Sequence, residues 1–230
     1  IGSRSRARHM AAIGETDAGW RWNEHPAPGA DDNGSGVALV LESARVLSQM
    51  PRPPWSIRFI AWSGEELGLR GSKHYAAEAR QRDDHILGVL NFDMIGFNDL
   101  AQRLELVTNP ASRWLVDHLR ATNDRYQIGL QIDLLDDHPF PGLSDHAPFW
   151  ARGYDAILGI ENYPPTDSTV AVVRGDYRVN SQYHSVADLP DSINWELVAD
   201  VTRLTVAAMS QFGQEQGLPN LAVFTGDARG

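Results

Sequence analysis

Ser56–Gly68 reads SIRFIAWSGEELG and combines the pattern of a buried strand with a pair of acids. The apolar-rich run Ser56–Ala61 is typical of a core strand, and Glu65 and Glu66 follow it closely. Adjacent carboxylates raise each other's pKa and need an opposing charge. Because most exposed Glu needs no explanation, this stretch alone leaves two interpretations. It is either a solvated surface turn or a site where one Glu holds a cation and its neighbour acts beside it.

The composition is that of an ordinary globular protein, and it excludes several classes of function. The chain has 230 residues, enough for one α/β domain with a large core. Cysteine is absent, which excludes disulfides and thiolate metal sites. The net charge of -10 argues against nucleic acid as a partner and is compatible with attraction of a free amine. No apolar run approaches the ~18 residues that span a bilayer, so we expect no membrane partner.

The first ten residues, IGSRSRARHM, are basic and lack the apolar core of a signal peptide. A His-Met pair after a Ser/Arg-rich lead is also typical of a cloning junction, so residues 1–10 are candidates for a vector-derived segment. The remaining sequence shows no repeat, low-complexity tract or linker. We therefore expect a single domain over residues 1–230.

Strand-like and helix-like segments alternate along the chain. Strands are expected at 56–62, 85–93, 103–107, 129–135 and 155–162, and helices at 36–50, 72–80, 111–123 and 195–212. SDHAPFW at 144–150 predicts a further helix start with Ser144 as its N-cap. This alternation predicts a three-layer α/β domain, whose ligands lie at the carboxyl ends of the strands.

Acidic and imidazole side chains occur where these elements begin or end. Asp31 precedes a helix in PGADDNGSGV, Glu65 and Glu66 follow one strand, Asp93 ends another, and His184 lies in SQYHSVADLP. Taken singly, each motif is equally typical of a capped helix, a surface turn or a structural histidine. Together, such ligands from several strand ends suit Zn²⁺. Two metals there would polarise a shared water.

At these motifs the sequence resembles the co-catalytic di-zinc aminopeptidases, mostly secreted bacterial enzymes related to glutamate carboxypeptidase II and the glutaminyl cyclases. The resemblance covers about residues 9–212, through PGADDNGSGVALVLESARVL, SGEELGLRGSKHYA, VLNFDMIG, SDHAPFW and YHSVADLPDSIN. It implies a three-layer α/β/α sandwich around a central mixed, mostly parallel sheet, with the zinc pair at strand carboxyl ends. It also implies a secreted or periplasmic location.

The resemblance further implies roles for individual residues. Asp31 resembles the carboxylate that bridges both zincs, joined to Asp32 by a cis peptide. Glu66 and His184 resemble the other ligands of one zinc, and Asp93 a ligand of the second.

Two more residues resemble members of the family's catalytic machinery. Glu65 resembles the general base that takes a proton from the metal-activated water and passes it to the leaving amine. Tyr183 resembles a residue that donates a hydrogen bond to the developing oxyanion in some members. Packing beside His184 is an equally good interpretation of Tyr183.

The amino-terminal motif departs from the family pattern. The family's first motif is a strand ending in His-x-Asp-Ser, and the matching place here reads His9-Met10-Ala11-Ala12. The Asp that would orient the ligand His9 is missing, and the preceding SRSRAR is a poor core strand, so the chain is expected to be shortened relative to the family. His9 is either a true ligand or a tag residue, and His25 is a weaker substitute. We expect two zincs, with the second site weak or empty.

The leading hypothesis is a zinc-dependent aminopeptidase acting on peptides with a free N-terminus. The alternatives are a glutaminyl-cyclase-like acyltransferase with one zinc and a non-catalytic domain with an incomplete second metal site. The resemblance favours an apolar or broad preference, with a pocket beside Met94 and Phe97. The connection Tyr163–Gln182 leads to His184 and is expected to border that pocket.

Overall fold

The computed structural model describes residues 28–53, 55–97, 101–136, 142–161, 180, 182–212 and 221–225. Its six strands form one sheet. In chain order they are β1 (Ile57–Ala61), β2 (Val89–Phe92), β3 (Arg103–Val107), β4 (Gln131–Leu135), β5 (Ala156–Ile160) and β6 (Leu221–Thr225). The order across the sheet is β1-β6-β2-β5-β3-β4. Only the β3–β5 pair is antiparallel among these strands, so the predicted mixed, mostly parallel sheet is confirmed.

Helices cover both faces of the sheet. They are α1 (Gly36–Leu47), α2 (Arg70–Gln81), α3 (Arg113–Tyr126), α4 (Ala147–Trp150) and α5 (Trp195–Gln211). On one face, α1, α3 and α5 bury an apolar cluster that includes Leu39, Leu115 and Val201. On the other face, α2 and α4 bury a smaller cluster around Ala76 and Phe149. This arrangement confirms the α/β/α sandwich.

The central strands are buried on both faces, as expected for a parallel sheet between helices. Every residue of β2 and β5 is buried, whereas the residues of β1 are half-buried or exposed. Successive side chains of β2 point to opposite faces of the sheet. Val89 packs in the smaller apolar cluster, and Leu90 and Phe92 pack in the larger one. The carboxyl ends of β1 and β2 lie at the same edge of the sheet, because both strands run parallel to β6, which lies between them.

Two local predictions need correction. Ser144 was predicted to cap a helix, but α4 begins at Ala147, and its N-cap His146 makes no side-chain capping bond. The hydroxyl of Ser144 instead donates to Oδ2 of Asp93, 2.7 Å away. Strand β6 was not predicted at all, although it lies between β1 and β2. None of the helices in the described ranges combines the length and hydropathy that a membrane crossing needs.

The close packing between β2 and β5 predicts that a methyl group added at Gly159 lowers stability. A Cβ added at Gly159 would lie 2.7 Å from two ring carbons of Phe92. Overpacking of a tight core costs about 1–3 kcal/mol, so we expect Gly159→Ala to lower the free energy of unfolding by that amount. Urea unfolding would measure it. In a Phe92→Leu background the same substitution should cost less, and an equal cost in both backgrounds would show that the ring contact is not the cause.

Candidate metal centre

Three side chains from distant parts of the sequence converge at the carboxyl edge of the sheet. Asp32 lies in the turn before α1, Glu66 in the turn after β1, and His184 in the segment before α5. One ligand atom of each residue lies within 4.8 Å of the others. Nε2 of His184 is 2.7 Å from Oε1 of Glu66 and 3.1 Å from Oδ2 of Asp32. An imidazole therefore faces two carboxylates, which is a donor set that suits Zn²⁺.

Asp31 does not face this cluster. Its Oδ1 accepts the N–H of Gly96 at 2.8 Å, and its Oδ2 accepts the side-chain amide of Asn180 at 2.7 Å. The cis peptide lies between Asp32 and Asn33, so the predicted position between Asp31 and Asp32 was wrong by one residue. The geometry accordingly favours Asp32 over the predicted Asp31 as the metal-facing carboxylate.

Asn33 fixes the metal-facing turn to the end of β2. Its Nδ2 donates to the carbonyl oxygen of Phe92 at 3.0 Å, and its Oδ1 accepts the N–H groups of Gly36 and Met94 at 3.0 and 3.1 Å. A Cβ at Gly36 would lie 2.5 Å from Oδ1 of Asn33 and 2.8 Å from the oxygen of Phe92. The first residue of α1 must therefore be glycine for this turn to reach β2.

Asp188 holds the same turn from the other side. Its Oδ1 accepts the backbone N–H of Asp31 at 2.9 Å, and its Oδ2 accepts that of Asp32 at 3.1 Å. Its own carbonyl oxygen accepts the N–H of Ala30 at 3.1 Å. Because Asp188 is four residues from His184, one short segment both contributes an imidazole to the cluster and fixes the backbone of Asp32.

Asp93 lies beside the cluster, at the end of β2. Its Oδ2 accepts the hydroxyl of Ser144, which in turn accepts the amide of Asn91 at 2.9 Å. Burial, and then the negative charge of Asp32, raise the pKa of Asp93 well above its usual range. The carboxylates of Asp93 and Asp32 are thus close enough to oppose each other's ionisation. Two acids that share a bound cation would have the same closeness.

Glu65 lies in a tight turn next to Glu66. Its carbonyl oxygen accepts the N–H groups of Gly68 and Leu69 at 2.8 and 2.7 Å. Burial, and then the neighbouring carboxylates of Asp93 and Glu66, raise the pKa of Glu65. The turn therefore brings both acids into one small volume. This arrangement favours a cation site over a solvated surface turn as the interpretation of the Glu-Glu pair.

His184 is the cationic partner within this group of acids. Burial alone lowers its pKa, but the hydrogen bonds to Asp32 and Glu66 outweigh that effect and raise the pKa to about 9. The ring of Tyr183 stacks on the His184 ring, with centroids 3.7 Å apart. Burial, and then the charges of the nearby acids, raise the pKa of Tyr183 well above its usual range, so its phenol stays protonated.

These residues fit a bound cation. Four carboxylates act on one another at close range, and imidazole and carboxylate oxygens are ligands that zinc prefers. A positive ion would offset the mutual repulsion that raises their pKa values. The residues that would hold or border it are Asp32, Glu66, His184, Asp93 and Glu65. His9 and His25, the candidates for a further ligand, lie outside the described residues.

Comparison with known proteins agrees with this geometry. The family model for peptidase family M28 matches residues 10–209. The chain belongs to peptidase family M28. This match confirms the resemblance seen in the sequence motifs. The family name describes enzymes that hydrolyse peptides.

Individual relatives of this M28 chain are longer than it is. Aminopeptidase YwaD of Bacillus subtilis (strain 168) is 32% identical over 196 residues, which are 84% of this chain and 40% of the relative. The crystal structure of BSAP, a zinc aminopeptidase from Bacillus subtilis, superposes with a TM-score of 0.65 at 32% identity, covering 81% of this chain and 43% of that one. The chain thus spans less than half the length of these two relatives.

A glutaminyl cyclase shares the fold. The enzyme from Porphyromonas gingivalis has a TM-score of 0.56 and 18% identity, covering 81% of this chain and 64% of that one. At this level of identity the similarity establishes the fold and carries no inference about the reaction.

The two hydrogen bonds to Asp188 predict a specific effect of its amide analogue. Asp188→Asn would turn one acceptor into a donor that faces a backbone N–H. Leaving buried polar groups unsatisfied costs about 1–3 kcal/mol, so the free energy of unfolding should fall by that amount. Chemical denaturation would measure it. Asp191→Asn removes the same charge from an exposed neighbour and should change stability by no more than about 0.5 kcal/mol; equal effects of both variants would contradict the interpretation.

Proposed function

We propose that this chain carries the catalytic site of a zinc-dependent aminopeptidase, which removes the N-terminal residue of peptides. The convergence of Asp32, Glu66 and His184 beside Glu65 is the observation that supports it. Membership of peptidase family M28 and similarity to proteins named aminopeptidases support the same reaction. A secreted or periplasmic location is part of the proposal and rests on the family resemblance.

Zinc, when bound, would polarise the attacking water and the scissile carbonyl group. Asp32, Glu66 and His184 would hold one ion. Asp93, whose carboxylate interacts with that of Asp32, would serve a second ion together with Asp32. The predicted contribution of His9 to that second site stays a prediction, as does the number of ions.

Glu65 is the proposed general base. Its turn places it next to Glu66 and close to Asp93, so a water between these groups is within its reach. Glu65 would take a proton from the metal-activated water and later deliver it to the leaving amine. Tyr183, protonated and stacked on His184, is the proposed donor to the developing oxyanion.

Substrate selection follows from charge and from an apolar surface near the centre. The clustered carboxylates favour a cationic α-amino group over a blocked terminus. Met94 follows Asp93 directly and packs against Val107, Leu158 and Ile160. We therefore propose that the first side chain of the substrate is apolar. The connection predicted to border this pocket lies almost entirely outside the described residues and stays a prediction.

Replacing Glu65 tests its role as the base. Glu65→Gln keeps the shape of the side chain and removes its ability to accept a proton. Because general base catalysis is worth ~10²–10⁴-fold, hydrolysis of an amino-acid anilide should fall at least that far while zinc per chain is unchanged. Glu78→Gln, an exposed change of the same kind on α2, serves as the control. Near-normal turnover in Glu65→Gln would remove Glu65 from the mechanism, and no hydrolysis by the unchanged chain would refute the proposed function.

The neighbouring aspartates provide a test of the ligand assignment. Asp32→Asn should lose zinc, because a neutral amide replaces a carboxylate that faces both Glu66 and His184. Asp31→Asn should retain more zinc, because Asp31 faces backbone and amide donors instead. Elemental analysis after dialysis against a mild chelator would measure both. Loss of zinc in Asp31→Asn with full retention in Asp32→Asn would restore the assignment made from the sequence.

A further inference from the structure

A second group of acids lies behind the metal-facing residues. The carboxyl groups of Asp31, Glu161 and Asp188 are at most 2% exposed, and we call them the buried acid cluster. The carboxylate of Asp188 accepts two backbone N–H groups. The reaction proposed above uses neither Asp31 nor Glu161, so their burial at this place calls for another explanation.

Glu161 clamps both ends of the turn that follows Asp93. Its backbone N–H donates to the carbonyl oxygen of Met94 at 2.9 Å. Its side-chain Oε2 accepts the N–H of Phe97. One residue at the end of β5 therefore fixes the whole turn from Met94 to Phe97, and with it the direction in which Asp93 leaves β2.

The turn that Glu161 clamps also contacts Asp31, the residue directly before Asp32. The N–H of Gly96, which lies within this turn, donates to Oδ1 of Asp31 at 2.8 Å. Oδ2 of Asp31 accepts the side-chain amide of Asn180 at 2.7 Å. The turn from Met94 to Phe97 therefore links Glu161 to the residue that precedes the metal-facing Asp32.

We propose that Glu161 is a positioning residue of the metal centre. It holds the Met94–Phe97 turn, whose Gly96 donates to Asp31, and it thereby fixes Asp93 relative to Asp32. The inference rests on the proposed function, since it gives these two carboxylates to a metal pair. It adds a residue that contacts neither the metal nor the substrate.

Two substitutions of Glu161 separate its bonds from its volume. Glu161→Gln keeps a side-chain oxygen that can accept the N–H of Phe97. Glu161→Leu fills a similar volume and removes that acceptor. Glu105→Leu is the matched control, because Glu105 is equally buried on β3, where it is the register partner of Ile160. Glu105→Leu replaces the same residue type on the strand next to β5, away from the Met94–Phe97 turn.

The measurements compare metal binding with stability. Cobalt(II) alone is titrated into each metal-free chain, its affinity is read by competition with a chelator, and its visible spectrum reports the ligand geometry. Loss of a group that orients ligands typically weakens metal affinity ~10–100-fold, so we expect that loss and an altered spectrum in Glu161→Leu. Glu161→Gln should restore both. Glu105→Leu should lower the stability of the metal-free chain without changing cobalt affinity or spectrum.

Three outcomes would overturn the inference. Unchanged cobalt affinity and spectrum in Glu161→Leu, whatever its stability, would reduce Glu161 to a structural residue. Equal loss in Glu161→Gln and Glu161→Leu would show that the hydrogen bond to the N–H of Phe97 is not what positions the metal centre. No cobalt binding by the unchanged chain would refute the metal centre itself. Binding with the expected pattern but no peptide hydrolysis would refute the proposed function and leave the role of Glu161 intact.

Discussion

The carboxylate of Asp188 accepts the backbone N–H groups of two consecutive residues, Asp31 and Asp32, and the candidate site depends on this pair of hydrogen bonds. They hold the turn before α1 against the segment that carries His184. On its other side the turn is fixed to the end of β2 by the amide of Asn33. The metal-facing carboxylate thus takes its position from hydrogen bonds that hold the main chain of its turn at the edge of a buried, mostly parallel sheet.

The acids of this region divide by the partners that stabilise them. The side chains of Asp31 and Asp188 are satisfied by protein donors, which are backbone N–H groups and the amide of Asn180. Glu65 and Asp93 instead face other carboxylates, which raise their pKa values. Burying uncompensated charge is costly. The second set is therefore stable as anions only with a cation among them, whereas the first set is complete without one.

Much of the fold could be predicted from the hydrophobic pattern of the sequence. Strands β2 and β5 lie in continuous apolar runs, and α1 and α5 show helical spacing of apolar residues. The site was predicted less completely. Asp31 and Asp32 are indistinguishable in GADDNG, and only contacts with residues about 60 and 150 positions away decide which one faces the metal. The burial of Glu161 could have been predicted, because this acid directly follows the apolar run AILGI. A solvated turn would usually have more polar neighbours.

The orientation of the two aspartates is determined by hydrogen bonds that do not involve a metal. If Asp31 turned toward the cluster, the N–H of Gly96 and the amide of Asn180 would each lose a buried acceptor. Each loss costs about 1–3 kcal/mol, and binding of a cation by Asp31 in place of Asp32 would not recover it. The turn is thus oriented before any ion arrives. A site arranged in advance loses less binding free energy to ordering its ligands, so this network raises metal affinity even though its atoms never touch the metal.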